Sequence, residues 1–122
     1  MKTRGLRRVD GGPVVSCEIA DRLWTRVRGL LGRDGLPQGA ALCIVPCDSI
    51  HMLGMRFPID ALFLDRSLTA VRLVQDLAPG RIVWPVRHAR CVIELAAGSL
   101  RELGWAEGDR MEWIDAPTPG GP

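Results

Sequence analysis

The chain has 122 residues, is 47% hydrophobic and carries a formal net charge of +2, which suits one domain with a sizeable core and leaves no room for a second. Its apolar stretches are broken within about ten residues by Arg, Asp, Pro or Gly, well short of the ~20 a membrane-spanning helix needs. The basic residues 1–8 are followed by Val9-Asp10-Gly11-Gly12-Pro13 where a secretory signal would place an apolar run, so a cytoplasmic protein is expected. The charge is uneven. Residues 1–33 hold eight Lys or Arg against three Asp or Glu, and residues 34–122 hold eight against eleven. A basic front could touch an anionic surface. However, no aromatic is interleaved with Arg4, Arg7 and Arg8 as a nucleic-acid stacking platform requires, so nucleic acid is disfavoured as a partner. The four cysteines, read without an export signal, are expected as free thiols in a reducing compartment.

In chain order, residues 1–13 read as a flexible basic tail and Val14-Val15-Ser16-Cys17 as a short strand. From Glu18 to Leu31 the apolar Ile19, Leu23, Val27, Leu30 and Leu31 recur at helical spacing, which predicts an N-terminal helix stopped by Gly32 to Pro37. Thereafter the period changes. Ala41 to Val45 predicts a strand ending at Pro46, and Ile59 to Leu64 a buried strand. The turn Asp65 to Thr69 leads into Ala70 to Val74, which together predict a hairpin. Ile82-Val83-Trp84 and Cys91 to Leu95 read as further strands. Residues 98–104 read as a short helix with Gly98 or Ser99 at its start and Gly104 beyond its end. Residues 105–114 suggest a last hairpin, and the Pro- and Gly-rich residues 116–122 a disordered tail. The expectation is one globular domain over 14–115, mainly β: a β-sandwich or partly open barrel with one N-terminal helix and one short C-terminal helix.

Three chemical readings compete. Cys43, Cys47 and His51 are zinc-ligand types at four-residue steps, but Pro46 breaks a helix through them, and on an extended chain each step spans roughly 13 Å. No metal and no cofactor are therefore assigned. A nucleophilic Cys47 or Cys91 served by His51 or His88 lacks any recognised motif. The third reading rests on His51 to Asp60, where an imidazole, two thioethers, a guanidinium and a carboxylate occur in ten residues between apolar segments. Glu94, inside an apolar strand, is a second acid that could close the same pocket, and a close Asp60 and Glu94 pair would permit acid/base work. The candidate pocket is thus His51, Met52, Met55, Arg56, Asp60 and Glu94, with Arg26 reaching in from the predicted helix.

Four blocks carry a family resemblance: residues 26–33 (Arg-Val-Arg-Gly-Leu-Leu-Gly-Arg), Met55-Arg56-Phe57-Pro58-Ile59-Asp60 with Phe63-Leu64-Asp65, Val92 to Gly98, and Gly104 with Gly108-Asp109. In that order they resemble the bacterial and archaeal family known as domain of unknown function 192, over roughly residues 14–115. The resemblance implies a compact, β-rich, jelly-roll-like β-sandwich with short helices and no established activity. Many members carry a Trp-Met pair and an Asn-Thr where this chain has Leu53-Gly54-Met55-Arg56, so ligand contacts are not carried over to Leu53, Gly54 or Arg56. The function expected first is non-catalytic binding of a small polar or carbohydrate-like ligand. A protein-interaction accessory module anchored by exposed Trp residues and a carboxylate-dependent hydrolase or lyase are the alternatives.

Overall fold

The structure is a computed structural model that describes residues 2–22, 30 and 32–115. Among the described residues the strands are β1 (Lys2–Arg8), β2 (Gly11–Ala20), β3 (Ala40–Ile44), β4 (Ile50–His51), β5 (Ile59–Leu64), β6 (Ala70–Leu77), β7 (Ile82–Val83), β8 (Cys91–Ala96) and β9 (Met111–Ile114), with one short helix, α1 (Ser99–Leu103). Seven strands form a curled half-barrel sheet in the order β6-β5-β8-β3-β2-β1-β9, and β4 pairs with β7 as a separate ribbon. Neighbours run antiparallel except β2 and β3, which run parallel. The mainly β expectation is met, and of its two forms the curled half-barrel sheet resembles the partly open barrel, not the two-sheet jelly-roll sandwich. No helix among the described residues is long and apolar enough to cross a membrane.

The central strands explain why one sheet suffices. All six residues of β5 are buried, because both faces of the sheet are covered and the strand needs no polar side. On one face Ala41, Cys43, Leu62, Leu64, Ile93 and Leu95 pack under Leu100 of α1 and Trp105. On the other, Leu42, Ile44, Ala61, Phe63 and Val92 pack under Ile50, Met52 and Val83 from the ribbon. Each fully buried Leu, Ile or Phe contributes about 1.5–3 kcal/mol of transfer free energy, so the two faces together anchor the fold.

Three expectations are corrected. Residues 2–8 are no loose tail: β1 lies between β2 and β9, with Leu6 fully buried, because Gly5 and Leu6 turn an otherwise basic strand into part of the core. The predicted N-terminal helix does not begin at Glu18, since β2 continues to Ala20 and pairs residue for residue with β3 from Ser16 onward. Cross-strand pairing there overrides the helical spacing, and the rest of that helix, residues 23–29 and 31, lies outside the described residues. The last hairpin is replaced by a single strand, β9, paired with β1. Residues 116–122 also lie outside the described residues.

Candidate functional site

Sheet register decides which predicted site residues meet. Asp60 on β5 stands opposite Leu95, and Glu94 stands opposite Ala61 and, across β3, Leu42. Cross-strand partners share a face and successive residues alternate, so Asp60 and Glu94 point to opposite faces of the sheet. The paired-carboxylate site is therefore not formed, and with it goes the acid/base mechanism that depended on it.

Asp60 is held by the fold. Between Ile59 and Ala61, β6 carries two residues, Gln75 and Asp76, opposite the single Asp60, which is a β-bulge. Asp76 there adopts a left-handed conformation (φ 51°), and its backbone N–H donates to Asp60 Oδ1 at 3.0 Å. The other oxygen, Oδ2, accepts from the N–H of Leu100 at 2.9 Å. That N–H belongs to the first turn of α1, whose N-cap is Gly98 and has no side-chain cap of its own. Asp60 supplies the missing cap from across the core.

Glu94 is only 5% exposed and faces the apolar side built from Leu42, Ala61 and Val92. Burial raises its pKa to about 7, against a lowering by the Arg33 charge. Arg33 Nη2 also lies 3.4 Å from Glu18 Oε2, so one guanidinium serves two carboxylates. Among the described residues none donates a hydrogen bond to Glu94. Met52 is buried and Met55 half-buried on this same side, where both fill space. His51 instead turns outward, paired with the exposed Ile82 across the ribbon. Arg56 is exposed and bonds Asp34 Oδ1 at 2.7 Å. Arg26 lies outside the described residues.

A concavity opens elsewhere among the described residues, between residues 46–48, 65–67 and 88–90, with a volume of about 650 Å³. Backbone hydrogen bonds tie its three walls together: Cys47 N–H to Arg90 C=O at 2.9 Å, Arg90 N–H to Leu64 C=O at 2.7 Å, and Val86 N–H to Asp48 C=O at 2.8 Å. Asp65 Oδ1 accepts from the N–H groups of Ser67 and Thr69, both at 2.9 Å, and from Ser67 Oγ at 2.8 Å. These bonds, that to Thr69 first, hold its pKa below the ordinary value. His88 sits at φ 68°, in the turn closed by the Ala89 N–H to Val86 C=O bond, a conformation that costs a non-glycine residue of order 1 kcal/mol. Arg66, His88 and Arg90 thus converge on a cavity whose carboxylates are Asp48 and the turn-committed Asp65. Sequence reasoning weighs Cys47 and His88 only as a nucleophile pair and does not assemble this site, because its walls are separated by about twenty residues each. The local signal on its middle wall is the Asp65-Arg66-Ser67 turn.

The comparisons by sequence agree on kinship, and the family and relatives they find are named without an activity. The profile of the family described as Uncharacterized ACR, COG1430 (DUF192) matches residues 6–113. A UPF0127 protein of Pyrococcus abyssi is 37% identical over 102 residues, covering 80% of this chain and 85% of that one. A UPF0127 protein of Pyrococcus furiosus is 32% identical over 104 residues, covering 81% and 87%. A crystal structure from Sinorhizobium meliloti, of a protein provisionally named a transcription regulator, superposes with a TM-score of 0.81 at 23% identity over 92% of this chain and 94% of that one. At that identity the likeness speaks for the fold alone. The sequence match spans nearly all of the seven-stranded sheet, and the chain belongs to the uncharacterised DUF192 family.

Proposed function

We propose that this domain binds a small polar ligand bearing an acidic group, without converting it, in the cavity between residues 46–48, 65–67 and 88–90. The observation that carries this reading is the convergence of Arg66, His88 and Arg90 on a concavity of about 650 Å³, within the ~300–1,000 Å³ of typical small-ligand sites. Two guanidiniums can each grip a carboxylate or phosphate through parallel N–H donors. The left-handed backbone of His88 holds its ring at the cavity against a conformational cost. The four free thiols support a reducing compartment.

Thermal unfolding of the chain with small carboxylates, phosphates and neutral sugars tests the reading. A ligand at one hundred times its Kd stabilises by about 2.7 kcal/mol, and acid-bearing compounds are expected to do so where neutral sugars do not. His88→Gly keeps the φ without strain and removes the ring, so weakened binding by that variant reports the imidazole and not misfolding. Equal stabilisation by sugars would move the specificity away from the arginines, and the absence of any stabiliser would sink the proposal.

One observation favours a second reading, a protein-interaction module. Trp84 is 75% exposed beside the exposed Ile82, and Leu53 is exposed as well, and aromatic anchors of this kind dominate protein interfaces. Trp84→Ala would then abolish a pull-down partner while leaving the unfolding temperature unchanged.

A further inference from the structure

Among the described residues a second cavity, of about 210 Å³, lies beside the first and shares Asp65, Arg66 and Arg90 with it. Much of its lining is apolar. Ile19 of β2, Val45 just after β3, Leu68 of the β5–β6 turn and Trp113 of β9 contribute to it, each packed against the core cluster yet only half-buried. Cys43 and Cys91, both buried, complete that lining. Cys43 on β3 stands opposite Ile93, two residues from Cys91 on β8, so the thiols are diagonal neighbours that pack as small hydrophobes. Four cations, Lys2, Arg4, Arg66 and Arg90, line the same cavity against two carboxylates, Asp21 and Asp65. The Arg4 guanidinium lies over the Trp113 ring, 5.5 Å from its centroid, a cation–π contact that holds both at the wall. Leu68 adopts φ 63°, an outlier for a bulky side chain. Its N–H donates to Asp65 C=O at 3.0 Å and its C=O accepts from Met111 N–H at 2.9 Å, so the turn and β9 together fix the strained residue at the cavity. Backbone outliers of this kind cluster at ligand sites, and His88 in the first cavity is another.

We propose that the ligand of this site is an aromatic acid. Its carboxylate or phosphate sits on Arg66 and Arg90, which belong to both cavities, and its ring enters the second cavity against Trp113 and Leu68. The inference rests on the acid-binding reading above and adds the class of compound. A cavity of roughly 150 Å³ already accepts a benzene ring, so the 210 Å³ here admits a ring and a short linker. The half-buried apolar wall comes from four separate chain segments, and a ring seated on it takes that surface out of water. Cations outnumber carboxylates four to two around the second cavity, which raises the local concentration of an acid. A second ring meets Trp113 offset or edge-on, a geometry that favours an aromatic group over an alkyl one.

Calorimetric titration of the chain compares each aromatic acid with its short parent: phenylacetate with acetate, and phenyl phosphate with inorganic phosphate. The phenyl compounds are expected to bind at least about tenfold more tightly, the least that burying such a ring confers. Placement is read on the unsubstituted chain from the indole N–H resonances, with that of Trp113 assigned by Trp113→Phe. Phenylacetate should shift the Trp113 resonance through its ring current, and acetate should leave it in place. Leu68→Gly accommodates the left-handed φ and removes the side chain, so it should reduce the phenyl advantage to about threefold. That ratio separates a lost contact from a damaged fold, which weakens parent and phenyl compound alike. Phenyl compounds that bind no more tightly than their parents, or that leave the Trp113 resonance in place, would overturn the aromatic assignment and leave acid binding standing. Failure of all four acids to bind would remove the acid-binding reading together with it.

Discussion

Replacing Asp60 with alanine leaves two backbone N–H groups, those of Asp76 and Leu100, without their acceptor. Asp60 is fully buried, so water cannot stand in for the carboxylate. Each unsatisfied buried donor costs about 1–3 kcal/mol, and loss of the α1 cap falls within the second of these. The sum is about 4 kcal/mol, a large share of the ~5–15 kcal/mol available to a domain of this size. At roughly 2 cal/mol/K of unfolding entropy per residue, that lowers the unfolding temperature by about 15 °C. Asp60→Asn keeps one acceptor oxygen and is expected to lose about half as much. Urea unfolding of both variants measures the free energies. Amide exchange supplies the specific readout: the Leu100 and Asp76 amides should exchange faster in Asp60→Asn than those of β8. A loss below about 1 kcal/mol in Asp60→Ala, with both amides still protected, would refute the capping argument and return Asp60 to the candidates for ligand binding.

Three further outcomes follow from other positions. Glu94 keeps its proton in the folded chain up to about pH 7, whereas the unfolded carboxyl releases it near the ordinary 4.5. Its contribution is therefore complete below pH 4.5 and is lost as pH rises towards 7, by on the order of 3 kcal/mol. Glu94→Gln should flatten stability over that window and exceed the unsubstituted chain at pH 8, and parallel profiles would contradict the reading. Asp65, whose folded pKa is lowered, contributes stability above its ordinary value of 3.8 and loses it as pH falls through the folded value. Asp65→Ala should then cost about 1 kcal/mol at neutral pH and progressively less towards pH 2 in urea titrations. Gly5→Ala places a methyl 2.9 Å from side-chain atoms of both Ile114 and Val14. Calorimetry should register an overpacking cost of roughly 1–3 kcal/mol.

Much of the strand plan was legible. The runs at Ala41, Ile59, Ala70 and Cys91 became β3, β5, β6 and β8 within a residue or so at their starts, because continuous apolar runs bounded by Pro, Asp and Gly have few other places to go. The front of the chain misled because Ile19 belongs to a helical spacing and a strand alternation at once. Pairing with β3, some twenty residues on, resolved the ambiguity in favour of the strand. The basic Lys2–Arg8 reads as a tail because only Leu6 marks its buried side. Its place between β2 and β9 comes from pairing with a strand near the opposite end of the chain.

Residue types and local order were enough to determine a mainly β domain of the DUF192 family, a buried strand at residues 59–64 and the presence of two acids inside apolar runs. Which way those acids point was decided by tertiary structure, since a side chain's face depends on the register of a strand whose partners lie elsewhere in the sequence. The same register that turned Asp60 towards α1 and Glu94 towards the opposite core also brought Cys43 diagonal to Cys91. Likewise the arginines at 66 and 90 became neighbours only when the β5–β6 turn closed against the segment before β8. Convergence of distant residues is a property of the folded sheet, because no local spacing encodes it.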